Sequence, residues 1–220
     1  MTETAITVRG VSAGYGATTV LHDITATVPR ARVTALVGHN GSGKSTLLGV
    51  LAACLTPSDG AVEHAGAGRP ALVPQRVHIP AALPMTVRDA VAMGRWAHRG
   101  WWRPLNRKDK AVIAECMERV GVAHLARRQL RELSGGQSQR TLIAQGLAQR
   151  SGLLLLDEPA AGLDQDAQER IMNIIDDLAG DGITVVHATH DPGAARRAGH
   201  CLLLDDGRLV RQGPPDAILH

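Results

Sequence analysis

Apolar positions along this chain follow two rhythms, one of period two and one of helical period, that alternate from end to end. Ile6-Thr7-Val8-Arg9 and Val20-Leu21-His22-Asp23-Ile24-Thr25-Ala26-Thr27-Val28 alternate apolar with polar residues, as half-exposed antiparallel strands do. Residues 33–37 and 183–188 are short, almost wholly apolar runs, and 71–73 and 153–156 are shorter ones of the same kind. Their length and flanking turn residues predict strands buried on both faces. Helical periods fill the spaces between. A helix follows residue 45, another runs from an N-cap at Thr86 to Met93, and 108–120 and 122–128 continue the pattern. Ser134 caps a helix to about Gln149, and 164–179 forms the next. Pro57-Ser58-Asp59-Gly60 reads as a turn, and a hairpin of 201–204 and 208–210 around Asp206-Gly207 ends the pattern. Buried strands alternating with helices predict a single α/β domain over 1–220 with a parallel core. The helical stretch of about 78–132 reads as an insertion, and no repeat or linker interrupts the chain.

Composition narrows the class. At 220 residues with 44% apolar and 20% charged content, the chain suits one globular domain. Phe is absent and Tyr15 is the only tyrosine, so Val, Leu, Ile and Ala must fill the core. The net charge of +3 is carried almost entirely by arginine, and no basic run is interleaved with aromatics, so no nucleic-acid partner is expected. Cys54, Cys116 and Cys201 lack metal or disulfide spacing and read as small buried residues in a reducing compartment. No charged-then-apolar leader pattern and no run near the ~20 apolar residues of a span is present, so membrane association is expected through a partner.

Three motifs carry chemistry. Gly38-His39-Asn40-Gly41-Ser42-Gly43-Lys44-Ser45 lies between the strand at 33–37 and a helix opening with Thr46. In that setting glycines let successive backbone N–H groups curl around an anion at a helix N-terminus. Lys44 then reaches the β/γ-phosphates of a nucleoside triphosphate, and the Ser45 hydroxyl is a Mg²⁺ ligand. The strand at 153–156 delivers Asp157-Glu158 to its C-terminal end, where open parallel sheets bind ligands. Adjacent strand residues point apart, so Asp157 is free for the Mg²⁺ shell and Glu158 for the attacking water. Ser134-Gly135-Gly136-Gln137 opens a helix as a second anion turn. One nucleotide has no use for two cradles in one chain, which points to a head-to-tail dimer.

In this order the motifs resemble the ATP-binding subunit of an ABC transporter over essentially the whole chain. The resemblance implies a P-loop ABC ATPase fold: a RecA-like parallel-sheet core, an N-terminal antiparallel β-subdomain and an inserted helical subdomain. It assigns Gln75 to the loop linking Mg²⁺, water and the membrane partner, and Ala161-Gly162-Leu163-Asp164 to the loop crossing the dimer interface. His190 matches the histidine that contacts the γ-phosphate, and Tyr15 the aromatic that stacks on adenine. It further implies ATP and Mg²⁺ as cofactors, a homodimer on the cytoplasmic face of the membrane, an integral membrane permease and an extracytoplasmic metal-binding protein. The chain departs from the pattern at Ala160, where relatives often carry Ser or Thr, and at His39, where proline is common; the His39 side chain is not needed for the cradle. A short 61–71 segment implies loss of length in the β-subdomain.

The insertion bears on cargo. Met93-Gly94-Arg95-Trp96, then Trp101-Trp102-Arg103-Pro104, resembles ATPases that import manganese, zinc and iron chelates, with zinc the leading expectation and manganese next. Trp96, Trp101 and Trp102 either pack the helical subdomain or form a docking patch. Of ten histidines only His187 and His190 lie close together, a spacing unsuited to a zinc site, so the cargo is not expected to bind here. Haem or siderophore import, export, and a non-transport ATPase of translation or repair are the alternatives. The last group usually joins two such domains or inserts a long coiled coil, and this chain does neither.

Overall fold

The alternating N-terminal segments pair as an antiparallel hairpin in the computed structural model, which describes residues 3–66, 68–75, 84–96 and 103–219. Strand β1 (Thr4–Tyr15) runs against β2 (Thr18–Pro29), with Val8 opposite Ala26 and Val11 opposite Ile24. Strand β3 (Val33–Val37) follows, then helix α1 (Lys44–Leu51) and β4 (Asp59–His64), which pairs with the other edge of β1. The antiparallel sheet therefore has three strands, in the order β2-β1-β4. Strand β4 begins inside the segment expected to be only a turn. Gly60, at φ 77, lies so close to β1 that a Cβ there would meet the Arg9 carbonyl oxygen at 2.4 Å. Only Val62 of β4 offers a large apolar side chain, which is why the segment lacks a clear alternation.

A six-stranded sheet forms the core. Its members are β5 (Ala71–Val73), β6 (Leu153–Asp157), β7 (Thr184–Thr189), β3, β8 (His200–Asp205) and β9 (Arg208–Gly213), in that spatial order. The first five are parallel and β9 returns antiparallel to β8. Every residue of β3 and β7 is buried, as the near-unbroken apolar runs require. Leu36, Leu155, Val186 and Leu202 of this sheet join Leu47 and Leu51 of α1 and Ile6, Leu21 and Ile24 of the hairpin in one apolar core. That packing fixes α1 under the sheet and leaves the C-terminal ends of β3, β6 and β7 to carry loops.

By their contacts the residues divide into two compact units. One comprises Met1–Gln75, Gly152–Pro159 and Ile175–His220; the other comprises Arg76–Ser151 and Ala160–Ile174. The second unit holds α2 (Val87–Met93), α3 (Arg107–Arg119), α4 (Gly135–Ala148) and the first turns of α5 (Gln165–Gly180). It thus takes in the Ser134 turn as well as the segment read as an insertion. Reciprocal capping boxes open α2, α3 and α4, at Thr86/Asp89, Asn106/Asp109 and Ser134/Gln137. The expected helix at 122–128 is absent and only a 3₁₀ turn, Ala123–Leu125, forms there. Its backbone serves α2 instead: the carbonyls of Ala126 and Arg128 accept the first amides of that helix, from Arg88 and Val87. Short helices α6 (Pro192–Arg196) and α7 (Pro215–Ile218) flank β8 and β9, the last without a clear sequence signal.

Two of the residues that suggested a cargo class, Gly94 and Arg95, pack this unit. A Cβ on Gly94 would lie 2.2 Å from the Gln145 carbonyl oxygen, so glycine is what lets the end of α2 meet α4. Arg95 donates to the Ala148 carbonyl at 2.6 Å and to Asp109 at 3.1 Å, and both charged side chains are largely buried. Trp96 is 44% exposed, while Trp101 and Trp102 fall outside the described residues. Asp109→Ala removes the partner of a largely buried guanidinium together with half a capping box. It is expected to cost about 3 kcal/mol or more, read as a fall in the denaturant midpoint.

Candidate active site

The phosphate loop owes its shape to what surrounds it. Strand β3 enters it fully buried and α1 leaves it with Gly43 as N-cap, at φ 99 and with no side-chain cap. The first amides of α1 are therefore not taken by a capping side chain, the condition for binding an anion at a helix N-terminus. Gly38 has no room for a side chain: a Cβ would meet Ser42 Oγ at 2.4 Å and the Leu204 carbonyl oxygen at 2.5 Å. Lys44 is 5% exposed and folds back across the loop, donating to the carbonyls of Gly38 and His39, each at 2.9 Å.

Strand β6 ends beside it. Glu158 takes a left-handed conformation, φ 45, which a residue bearing a Cβ holds at a cost of about 1–3 kcal/mol. Its carboxylate accepts a hydrogen bond from Gln75 Nε2 at 3.1 Å and lies 3.3 Å from His190 Nδ1 and 3.5 Å from Lys44 Nζ. Gln75 comes from the end of β5 and His190 from the end of β7, so three neighbouring strands converge on one carboxylate. An open cavity of about 350 Å³ lies here, lined by Val20, Asn40, Gly41, Gly43, Lys44, Ser45, Thr46, Gln75 and Glu158.

Asp157 faces a different task. Burial raises its carboxyl above the usual carboxylate range against the pull of the Ser45 hydroxyl, with Glu158 adding to the rise and Lys44 opposing it. Its Oδ1 is buried and has no hydrogen-bond partner. A buried carboxylate oxygen lacking a partner, beside a hydroxyl, fits a hard oxygen-seeking cation such as Mg²⁺.

Other expected residues are not members of this cluster. Tyr15 is 59% exposed at the β1–β2 turn and does not line the cavity. Ser134, Gly135, Gly136, Gln137 and Asp164 belong to the helical unit. There Ser134 Oγ accepts from the Gln137 amide at 3.3 Å, and the glycines make room for the segment before and within α5. A Cβ on Gly135 would meet Leu163 at 2.9 Å, and one on Gly136 would meet Ala167 at 2.9 Å. Asp164 caps α5, accepting from the Ala167 amide at 2.8 Å. His187 and His190 share no site: His187 is buried inside the sheet and neutral, its pKa pushed down to about 4 by burial, while His190 is exposed at the strand end. The β8–β9 turn, expected from the sequence as a hairpin but not as part of the site, packs on the phosphate loop, with the Gly207 amide donating to the Ser42 carbonyl at 3.1 Å.

A phosphate loop at the end of a buried parallel strand, with the strand-end carboxylate of Glu158 closing on its lysine, defines a P-loop ATPase. The sequence matches the family model described as ABC transporter over residues 21–161. It is 36% identical to the ferric enterobactin transport ATP-binding protein FepC of Escherichia coli (strain K12), across 100% of this chain and 86% of that protein. Identity to the hemin import ATP-binding protein HmuV of Nocardia farcinica (strain IFM 10152) is 42%, across 91% of this chain and 72% of the relative. The fold superposes on that of a metal-chelate type ABC transporter solved in an inward-facing conformation, with TM-score 0.90 and 32% identity, covering 99% of this chain and 86% of the other. The chain belongs to the ABC transporter family and is one of its ATP-hydrolysing domains.

The raised pKa of Asp157 has a consequence for stability. A carboxyl whose pKa is higher folded than unfolded opposes folding above that range, and the penalty fades as pH drops through it. Metal-free Asp157→Asn is therefore expected to melt at or above the wild-type temperature at neutral pH, with the gap closing on acidification. Stabilisation by Mg-ATP, read in the same thermal scan, is expected to be lost in the variant.

Proposed function

We propose that this chain is the ATP-hydrolysing subunit of a metal-chelate importer, working as a homodimer on the cytoplasmic face of a membrane through an integral permease. The observation that carries the hydrolytic reading is the convergence of Lys44, Gln75 and His190 on Glu158. The amides of residues 38–46, with Lys44, hold the β- and γ-phosphates, and the exposed Tyr15 ring is offered to adenine. Ser45 and Asp157, with Gln75, hold Mg²⁺, which when bound neutralises charge developing on the transferring phosphoryl group. Glu158 orients the attacking water and accepts its proton, and His190 donates to the γ-phosphate. Phosphoryl transfer depends mainly on such positioning and electrostatics.

The Ser134–Gly136 turn and Asp164 act on the nucleotide of the other copy, so each of two Mg-ATP is enclosed by both subunits. Closure moves the permease between access states, and product release reopens the pair. No helix among the described residues is long and apolar enough to cross a membrane, which suits a subunit docked on a permease. An extracytoplasmic binding protein delivers the cargo. The names of the relatives, ferric enterobactin, hemin and metal chelate, support a chelated metal. The zinc expectation rested on the insertion pattern, and Gly94 and Arg95 of that pattern are occupied in packing. Zinc and manganese remain the competing cargoes.

A strain carrying Lys44→Ala, starved of metal and refed a ferric siderophore, hemin, zinc or manganese separately, tests the reading by cellular metal content. A selective deficit of chelated iron, cured by wild-type protein, is expected. A deficit of zinc or manganese alone would reassign the cargo, and no deficit at all would end the transport reading. In purified protein, Glu158→Gln is expected to bind ATP and persist as a dimer with turnover reduced about 10²–10⁴-fold. Rapid turnover by that variant would remove Glu158 from its role.

A further inference from the structure

We infer that His39 is a positioning residue, its imidazolium bracing the phosphate loop against the β8–β9 turn through Asp205 and Asp206. This rests on the proposal that residues 38–45 hold the nucleotide phosphates. Both ring nitrogens face acceptors: Nδ1 lies 2.8 Å from the Asn40 carbonyl oxygen, and Nε2 lies 3.1 Å from Asp205 Oδ1 and 3.5 Å from Asp206 Oδ1. A neutral imidazole has one N–H and satisfies only one side; the doubly protonated ring satisfies both. The Asn40 carbonyl and the two carboxylates together hold the His39 pKa above the ordinary imidazole value.

The contact matters because of which carbonyl it holds. Lys44 already fixes the carbonyls of Gly38 and His39, and the His39 ring fixes that of Asn40. In a planar trans peptide the N–H points opposite the carbonyl, and the chain has no cis bond among the described residues. Drawing the Asn40 carbonyl toward the ring therefore sets the direction of the Gly41 N–H, in a loop whose function is to present amides to phosphate. The turn is tied to the loop independently, by the Gly207 amide on the Ser42 carbonyl and the Leu204 carbonyl against Gly38. The ion pair thus acts on an existing contact. These three groups satisfy one another, and none of them is among the buried, unpartnered side chains of the described residues, so they read as a brace and not as a cation site.

The brace is complete below the ordinary imidazole pKa of ~6.5 and is lost as pH rises through the raised His39 value. The side chains are 54%, 63% and 90% exposed, which limits the effect to that of a screened surface pair. The test is the affinity of the protein for a non-hydrolysable ATP analogue with Mg²⁺, at about pH 6 and about pH 8.5. His39→Gln, Asp205→Asn/Asp206→Asn and the triple variant are each compared with wild type at the same pH, which cancels titration of the analogue. His39→Gln and the aspartate pair are each expected to weaken binding about two- to fivefold near pH 6, with no further loss in the triple variant. Near pH 8.5, with His39 neutral, His39→Gln is expected to match wild type, and the variants lacking the two aspartates to bind at least as tightly as it does.

The aspartate arm is diagnostic, because deleting two negative charges beside an anion site would by simple electrostatics tighten binding. Tighter or unchanged binding near pH 6, losses that add, or a loss equal at both pH values would overturn the brace. Lys44→Ala separates the two readings. If it loses the analogue while the other variants behave as wild type, only the brace fails. If it binds like wild type, the phosphate-loop reading fails first.

Discussion

A buried ammonium sets the terms for this site. Lys44 sits at the start of α1 with almost no solvent, and a charge so placed persists only if hydrogen-bonded and paired. Two loop carbonyls and the Glu158 carboxylate meet that need. Satisfying them requires the loop to fold back on itself, β6 to end level with β3, and Glu158 to accept a strained left-handed backbone. The parallel sheet supplies the alignment: β7 lies between β3 and β6, and all three release their loops at the same end. His190 and Gln75 then reach the same carboxylate from the strands on either side.

Within the helical unit, the chemistry of individual residues is spent on packing. Gly94 and Arg95 join α2 to α4, and Gly135 and Gly136 admit Leu163 and Ala167. Asp164 caps the helix that follows it. A short motif in such a unit therefore carries two messages, one about folding and one about partners. For Gly94 and Arg95 the first accounts for the residues present, which is why they say little about cargo.

Much of the core was legible because its signals are local. A strand buried on both faces must be apolar throughout, and 33–37 and 183–188 are nearly so. N-caps at Thr86 and Ser134 use side chains whose geometry depends on only three following residues. The failures were also physical. Residues 122–128 have helical spacing, yet only Ala123–Leu125 forms a turn, and the carbonyls of Ala126 and Arg128 beyond it accept the first amides of α2 from elsewhere in the chain, a non-local contact that no spacing reveals. Strand β4 forms because Gly60 permits a close approach to β1, and a backbone approach leaves no hydrophobic period to read.

The sequence by itself determined the glycine-rich loop at 38–45, the strand-end carboxylate pair, the Ser134 helix cap and the parallel core, since each is written in neighbouring residues. Tertiary structure alone decided which groups meet Glu158, that Asp157 carries a buried oxygen without a partner, and that Asp205 and Asp206 reach His39. Those contacts join residues far apart in the chain. Their distances follow from strand order and register, and sheet pairing is selected by the packing of the whole core.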